Sequence, residues 1–342
     1  MKRILLLYTG GTIGCEGQPL APMAAARFAL ALGERALLAA GCELRALPQP
    51  LDSADMQPGD WLDIAATLLE AWVDFDGFVV LHGTDTLAFT ASALSFLLPG
   101  VDKPVVLTGS QYSLGAAASD APRNLLDAVA AASTPDLREV CVCFAGRILR
   151  GNRCVKRSAC DLEAFASPNW APLGEVQNGT VVLNATALLP VSAKPFDPLA
   201  AKAELVSMRP RLAERPVWAI HLHPGFPSTL LRAALELPVP PLGWVLACYG
   251  NGNAPQRTDF LAALEAARAR GVVLVAITQT GHGSVSPGAY LVGAGLAAAG
   301  VIGGKDMSLP AAVVKLQLLL ARGFSPGEIE ARLAEPVAGE LS

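Results

Sequence analysis

Five places in this sequence set glycine beside hydroxyl or amide residues directly after a short apolar run. They are Thr9-Gly10-Gly11-Thr12, His82-Gly83-Thr84-Asp85-Thr86, Thr108-Gly109-Ser110-Gln111, Gly250-Asn251-Gly252-Asn253 and Thr278-Gln279-Thr280-Gly281-His282. Glycine permits tight turns and lets backbone N–H groups approach a ligand closely. Such groups also stabilise an oxyanion. Any one of these tips could do no more than cap the helix that follows. Five together point to a small polar ligand held by neutral hydrogen bonds, with hydroxyl nucleophilicity as the available chemistry. A threonine hydroxyl is a poor nucleophile until a neighbouring base accepts its proton. The candidate bases are Asp85 and a deprotonated lysine, for which Lys156 in the polar segment GNRCVKRSACDLEAFASPN is available.

Other chemistries lack their signatures. Gly10-Gly11-Thr12-Ile13-Gly14 does not have the G-x-G-x-x-G spacing, and neither a phosphate-loop G-K-[ST] nor a G-x-S-x-G elbow occurs. His221 and His223 read as sharing one strand face, but no acidic or thiol partner is near them in sequence, so neither metal nor cofactor is expected. Lys and Arg total 26 against 30 Asp and Glu, a net charge of −4 without a basic block, which argues against a nucleic-acid partner. The seven cysteines form no C-x-x-C pair, and Cys141 and Cys143 share a strand face, so buried reduced thiols in a cytoplasmic protein are expected. The apolar run after Lys2 and Arg3 is too short for a signal peptide. The uncharged stretch PGAYLVGAGLAAAGVIGG is broken by glycines, and reads as a helix followed by a buried strand rather than a membrane span.

The tips need elements to carry them. RILLLYT, DGFVVLHG, KPVVLTGS, EVCVCFAG, PVWAIHLHP, GWVLACYG and GVVLVAITQT read as strands buried on both faces. TASALSFLL, RNLLDAVAAA, RTDFLAALEAARARG and LPAAVVKLQLLLARG read as helices between them. This alternation predicts an α/β protein with two domains: a larger N-terminal α/β domain with a mainly parallel sheet, and a smaller C-terminal α/β domain. In such sheets ligands collect beyond the C-terminal strand ends, where the five tips lie. Four prolines between Ala187 and Arg215 predict a linker. The expected division is residues 1–187, a linker over 188–214, and residues 215–342.

Taken together, the motifs resemble the bacterial-type L-asparaginases, most closely the cytoplasmic type I enzymes. YTGGTIG resembles that family's first signature and DGFVVLHGTDTLAFTASALSFLL its second. LDSADM, KPVVLTGSQ, RGNRCVKRSACDLEAFASPNWAPLG, YGNGNAP and AGVIGGKDM match further blocks in the same order, from residue 3 to about residue 320. The resemblance implies a cofactor-free enzyme that hydrolyses L-asparagine to L-aspartate and ammonia as a homodimer or homotetramer, with neither a nucleic acid nor a membrane as partner. It implies that Thr12 attacks, that Thr84, Asp85 and Lys156 form a second catalytic cluster, and that Asp85 also binds the substrate's ammonium. Ser53, flanked by Asp52 and Ala54, would bind the α-carboxylate, and Asn253 would come from a neighbouring subunit. A glutaminase-like amidotransferase subunit and a catalytically weak amino-acid-binding or regulatory homologue are the alternatives. The first expects an added N-terminal domain, whereas here the first signature starts at residue 9. The second draws on a departure from the family: its flap tyrosine has no counterpart in CEGQPLAPMAAARF. A regulatory arginine that some type I enzymes carry before the tyrosine of YGNGNAP is also missing, with Ala247 and Cys248 there, although Thr278 is present.

Overall fold

The computed structural model describes residues 2–38, 40–212, 214, 216–285 and 291–342. The chain forms two compact units, Met1–Leu205 and Val206–Ser342.

The first unit is built on an eight-stranded sheet. Its order is Thr180–Leu183, Gly174–Gln177, Arg147–Arg150, Val140–Phe144, Val105–Thr108, Gly77–Leu81, Ile4–Gly10 and Cys42–Leu51. The five strands from Val140–Phe144 to Cys42–Leu51 are parallel, and the remaining pairings are antiparallel. Ile4–Gly10, Gly77–Leu81, Val105–Thr108 and Val140–Phe144 are buried throughout, as their unbroken apolar sequences require. From Ile4–Gly10 the chain crosses to Cys42–Leu51 on one side and then returns to Gly77–Leu81 on the other. The strand order therefore reverses between Ile4–Gly10 and Gly77–Leu81, the point in an open α/β sheet where a crevice forms beyond the strand ends. Helix Leu87–Leu97 is apolar around nearly its whole circumference and buries all its residues except Phe89.

Four strands of this sheet escape the apolar-run reading. Cys42–Leu51 carries charged residues and two prolines, Pro48 and Pro50, which only an edge strand tolerates. Val140–Phe144 and Arg147–Arg150 are joined by Ala145 and Gly146, both with positive φ. Gly174–Gln177 and Thr180–Leu183 are joined by Asn178-Gly179, also both positive. That Asn-Gly pair is a hairpin signal present in the sequence. The segment 188–214, expected as a linker, carries helix Pro198–Leu212, and the division between the units falls inside it. Pro198 occupies the first helical position, where its missing N–H costs nothing, and Pro210 lies in the last turn. Prolines read as breakers thus hid a helix.

The second unit holds a parallel four-stranded sheet ordered Val217–His221, Gly243–Cys248, Val273–Thr278 and Ile302–Gly303. His223 lies beyond the end of the first of these strands, where Nδ1 bonds the Pro224 carbonyl, so it does not share a strand face with His221. Within the uncharged stretch, helix Leu291–Ala298 leads to Ile302–Gly303, which is half-buried rather than buried; residues 287–290 lie outside the described residues. No described helix is long and apolar enough to cross a membrane. Five cysteines are buried, including Cys141 and Cys143 in one core cluster, while Cys42 is half-buried and Cys160 is exposed.

Helix Leu309–Ala321 starts at Ser308, whose hydroxyl accepts from the Ala311 N–H, and buries Lys315. Lys315 Nζ meets Glu340 Oε1 at 2.6 Å, with side-chain exposures of 2% and 0%, and also donates to the carbonyls of Leu333 and Glu335. Glu340 in turn accepts from the N–H groups of Val337 and Ala338. Removing one member of a buried pair strands the other charge in an apolar setting. Glu340→Ala is therefore expected to lower the unfolding free energy by about 3–5 kcal/mol, measured by urea titration, whereas Lys315→Met with Glu340→Leu recovers most of that loss.

Candidate active site

The three tips around the strand-order reversal are held together by backbone contact. Gly11 N–H donates to the Leu51 carbonyl at 3.1 Å, tying the first tip to the end of Cys42–Leu51. Gly10 and Gly11 have φ of 113° and 83°, conformations that side-chain-bearing residues rarely adopt. A β-carbon on Gly11 would collide with the backbone of Gly83, and one on Gly83 with the Ser53 side chain. The glycines therefore let three chain segments converge: Gly11-Thr12, Gly83-Thr84-Asp85 and Asp52-Ser53-Ala54. Thr12 opens the 3-10 turn Thr12–Gly14, and the Leu114 N–H donates to the Ile13 carbonyl at 3.2 Å, pinning that turn from the neighbouring loop.

The hydroxyls at the tips differ in their partners. Thr9 Oγ1 donates to the Leu81 carbonyl and Thr108 Oγ1 to the Cys143 carbonyl, at 2.9 and 2.7 Å. Both are buried ties between adjacent strands. Thr86 Oγ1 donates to the Ser53 carbonyl at 2.7 Å and locks the second tip to the third. Asp52 caps the Ser53–Asp55 turn by accepting from the Ala54 N–H at 3.0 Å. The half-buried Thr12 hydroxyl has no hydrogen-bond partner among the described residues.

Lys156 reaches the same place from the far side of the sheet. After Arg147–Arg150, the 3-10 turn Gly151–Arg153 packs against helix Leu87–Leu97 and leads into the short strand Val155–Lys156, paired with Phe165–Ala166. Gly151 permits this, because a β-carbon there would press on Ser95 and the Ala91 carbonyl. The approach is anchored by the buried Arg150–Glu139 pair, with Nε to Oε2 at 2.7 Å. Lys156 Nζ lies 2.8 Å from Thr84 Oγ1 and 2.7 Å from Asp85 Oδ1. Thr84 is buried, whereas the Asp85 side chain is 64% exposed and that of Lys156 20%.

Sequence models of a known family match both parts of this chain: "Asparaginase, N-terminal" over residues 3–189, and "Glutaminase/Asparaginase C-terminal domain" over residues 216–333. The chain belongs to the asparaginase family of amidohydrolases. This asparaginase-family chain is 38% identical over 346 residues to L-asparaginase 1 of Escherichia coli K12, covering 100% of this chain and 98% of that one. It superposes on the crystal structure of L-asparaginase I from Vibrio cholerae with a TM-score of 0.84 and 35% identity, covering 100% and 99% of the two chains. The thermostable L-asparaginase from Thermococcus kodakarensis gives a TM-score of 0.85 at 32% identity, with 99% of each chain covered.

Among the site residues read from this asparaginase-family sequence, Thr12, Ser53, Thr84, Asp85 and Lys156 lie on segments in direct contact. Asp52 and Ala54 flank Ser53, and Ala54 is exposed. Asn253 belongs to the second unit, in a tight turn closed by paired backbone bonds with Tyr249, each 2.8 Å long. In the region without a flap tyrosine, Cys15–Glu16 pairs with Ala21–Pro22 as a short hairpin. Its base is held from inside by Tyr8, whose hydroxyl lies 3.2 Å from the carbonyls of both Gly14 and Met23.

His82, at the head of the second tip, is fully buried. Burial pushes its imidazole from the ordinary 6.5 down to about 4. Because the folded value lies below the unfolded one, the unfolded chain binds the extra proton between these limits. This contribution to stability is complete above about pH 6.5 and is lost as pH falls toward 4, a change of about 3 kcal/mol. In urea titrations from pH 7 to pH 4, His82→Asn is expected to lack this part of the slope; an unchanged slope contradicts it.

Proposed function

We propose that this protein is an L-asparaginase that hydrolyses L-asparagine to L-aspartate and ammonia, with Thr12 as the nucleophile. The observation that carries the reading is Lys156 Nζ bridging Thr84 Oγ1 and Asp85 Oδ1, on a tip whose backbone packs against the one bearing Thr12. A free amino acid is a zwitterion, so its site needs one anion and several neutral donors. Asp85 supplies the exposed carboxylate for the α-ammonium, and the buried Ser53 with nearby N–H groups receives the α-carboxylate. Thr12 Oγ1 attacks the side-chain amide carbon, and backbone N–H groups stabilise the oxyanion. Ammonia departs with the proton that Thr12 gives up, leaving an ester. Lys156 bonds the Thr84 oxygen and directs its O–H outward, toward the water that cleaves this ester and regenerates Thr12. Positioning and oxyanion donation carry much of the rate in this scheme.

In the same reading residues 1–187 carry the catalytic groups, the protein is cytoplasmic, and a homodimer or homotetramer brings Asn253 to a neighbouring site. Its resemblance to type I enzymes supports these points. A coupled ammonia assay comparing L-asparagine, D-asparagine and L-glutamine tests the function. Ammonia release is expected from L-asparagine. Tight L-aspartate binding in a calorimeter with no ammonia from any substrate would replace the reading with an amino-acid-binding one.

A further inference from the structure

Behind the Thr84 tip lies a side chain that the proposed chemistry does not use. His82 is fully buried, one residue after strand Gly77–Leu81. Its Nδ1 is 2.8 Å from the Gly83 carbonyl, which can only accept, so the proton sits on Nδ1. Nε2 is then an acceptor, and the Thr90 hydroxyl of helix Leu87–Leu97 donates to it at 2.9 Å. Met56 Sδ packs 3.0 Å from the same nitrogen. Met56 follows the Ser53–Asp55 turn, and its N–H bonds the Ser53 carbonyl at 3.3 Å. One imidazole therefore touches the peptide leading into Thr84, the helix behind it, and the turn that presents Ser53.

We infer that His82 is a positioning residue, which fixes the Gly83–Thr84 peptide against the Ser53 turn and so sets the spacing between the hydroxyl cluster and the carboxylate-binding tip. The inference rests on the proposed roles of Thr84 and Ser53. It follows from the geometry that the Nδ1 side carries most of the effect. The Gly83 carbonyl belongs to the peptide of Thr84 itself, whereas Thr90 only orients the ring.

Two amides separate these sides. In His82→Asn the side-chain N–H₂ falls near the place of Nδ1 and keeps a donor for the Gly83 carbonyl. In His82→Gln the amide falls near Nε2 and keeps only the Thr90 side. Steady-state ammonia release and calorimetric L-aspartate binding are measured on the folded full-length variants. His82→Gln is expected to lose about 10–100-fold in kcat, the scale of a misplaced reacting group, while His82→Asn stays within about threefold of the parent. L-Aspartate affinity should weaken in His82→Gln more than in His82→Asn. A purely structural role would lower Tm in both and leave kcat per folded molecule alone. Equal kcat in the two variants, or parental kcat in His82→Gln, overturns the inference while leaving the asparaginase reading intact. A parent enzyme that releases no ammonia overturns both. If neither amide variant folds, Thr90→Val keeps the imidazole but removes its donor. A several-fold fall in kcat then supports the inference, and parental kcat overturns it.

Discussion

Thr12→Ala is expected to fold normally, with a Tm within a few degrees of the parent, and to release ammonia from L-asparagine at least about 10³-fold more slowly. The two halves of this expectation have separate grounds. The Thr12 hydroxyl has no partner among the described residues, so its loss leaves no buried group unsatisfied. In the proposed reaction the same oxygen forms the covalent bond, and alanine offers no oxygen to form it. Thr9 provides the contrast three residues earlier. Its buried hydroxyl ties Ile4–Gly10 to the Leu81 carbonyl, so Thr9→Val should cost about 1 kcal/mol of stability with a much smaller effect on kcat. A Thr12→Ala enzyme with near-parental kcat on a clean preparation would remove Thr12 from the chemistry.

Lys156→Met is expected to lower kcat by about 10²–10⁴-fold, with little change in Tm. The lysine makes two short bonds, to Thr84 Oγ1 and Asp85 Oδ1, and methionine keeps its length while removing both. Stability is nearly insensitive because Asp85 is mostly solvated, and a solvent-exposed ion pair contributes little. Thr84→Val should show a loss of similar size. The double variant Lys156→Met with Thr84→Val should be scarcely worse than either alone, because the two groups act as one unit. Losses that multiply in the double variant would mean that lysine and threonine work independently, contrary to the proposed relay.

The parts of the fold legible in the sequence were those with a strong local signal. Ile4–Gly10, Gly77–Leu81 and Val105–Thr108 are buried on both faces, and a strand with two apolar neighbours has to be apolar throughout. Cys42–Leu51 has a neighbour on one side only, so it could keep charges and prolines, and its sequence gave no strand signal. The Asn178-Gly179 turn carries a hairpin signal in its residue types alone. Helix Pro198–Leu212 was hidden because Pro198 stands at the first helical position, where no bond is lost, and Pro210 interrupts only the last turn. For the site, Thr12, Thr84 and Asp85 were visible as strand tips from the residues alone. Lys156 was legible only as an available lysine in a polar segment: its path runs through a hairpin, a 3-10 turn and a two-residue strand, none with a distinctive pattern, and family resemblance was needed to join it to Thr84 and Asp85. His82 was visible as a residue but not as a hub, since its three partners come from three separate segments.

The crossing of Gly11 over Gly83 has a consequence for how this protein can change. The gap between the two reactive turns is gauged by main chain alone, with no rotamer able to stretch or shrink it. Repacking of distant side chains would leave that gauge untouched, whereas a single methyl on Gly11 would wedge it open and one on Gly83 would drive into Ser53. Sequence drift could therefore be broad across most of the molecule, while two atoms' worth of empty space must be inherited unchanged.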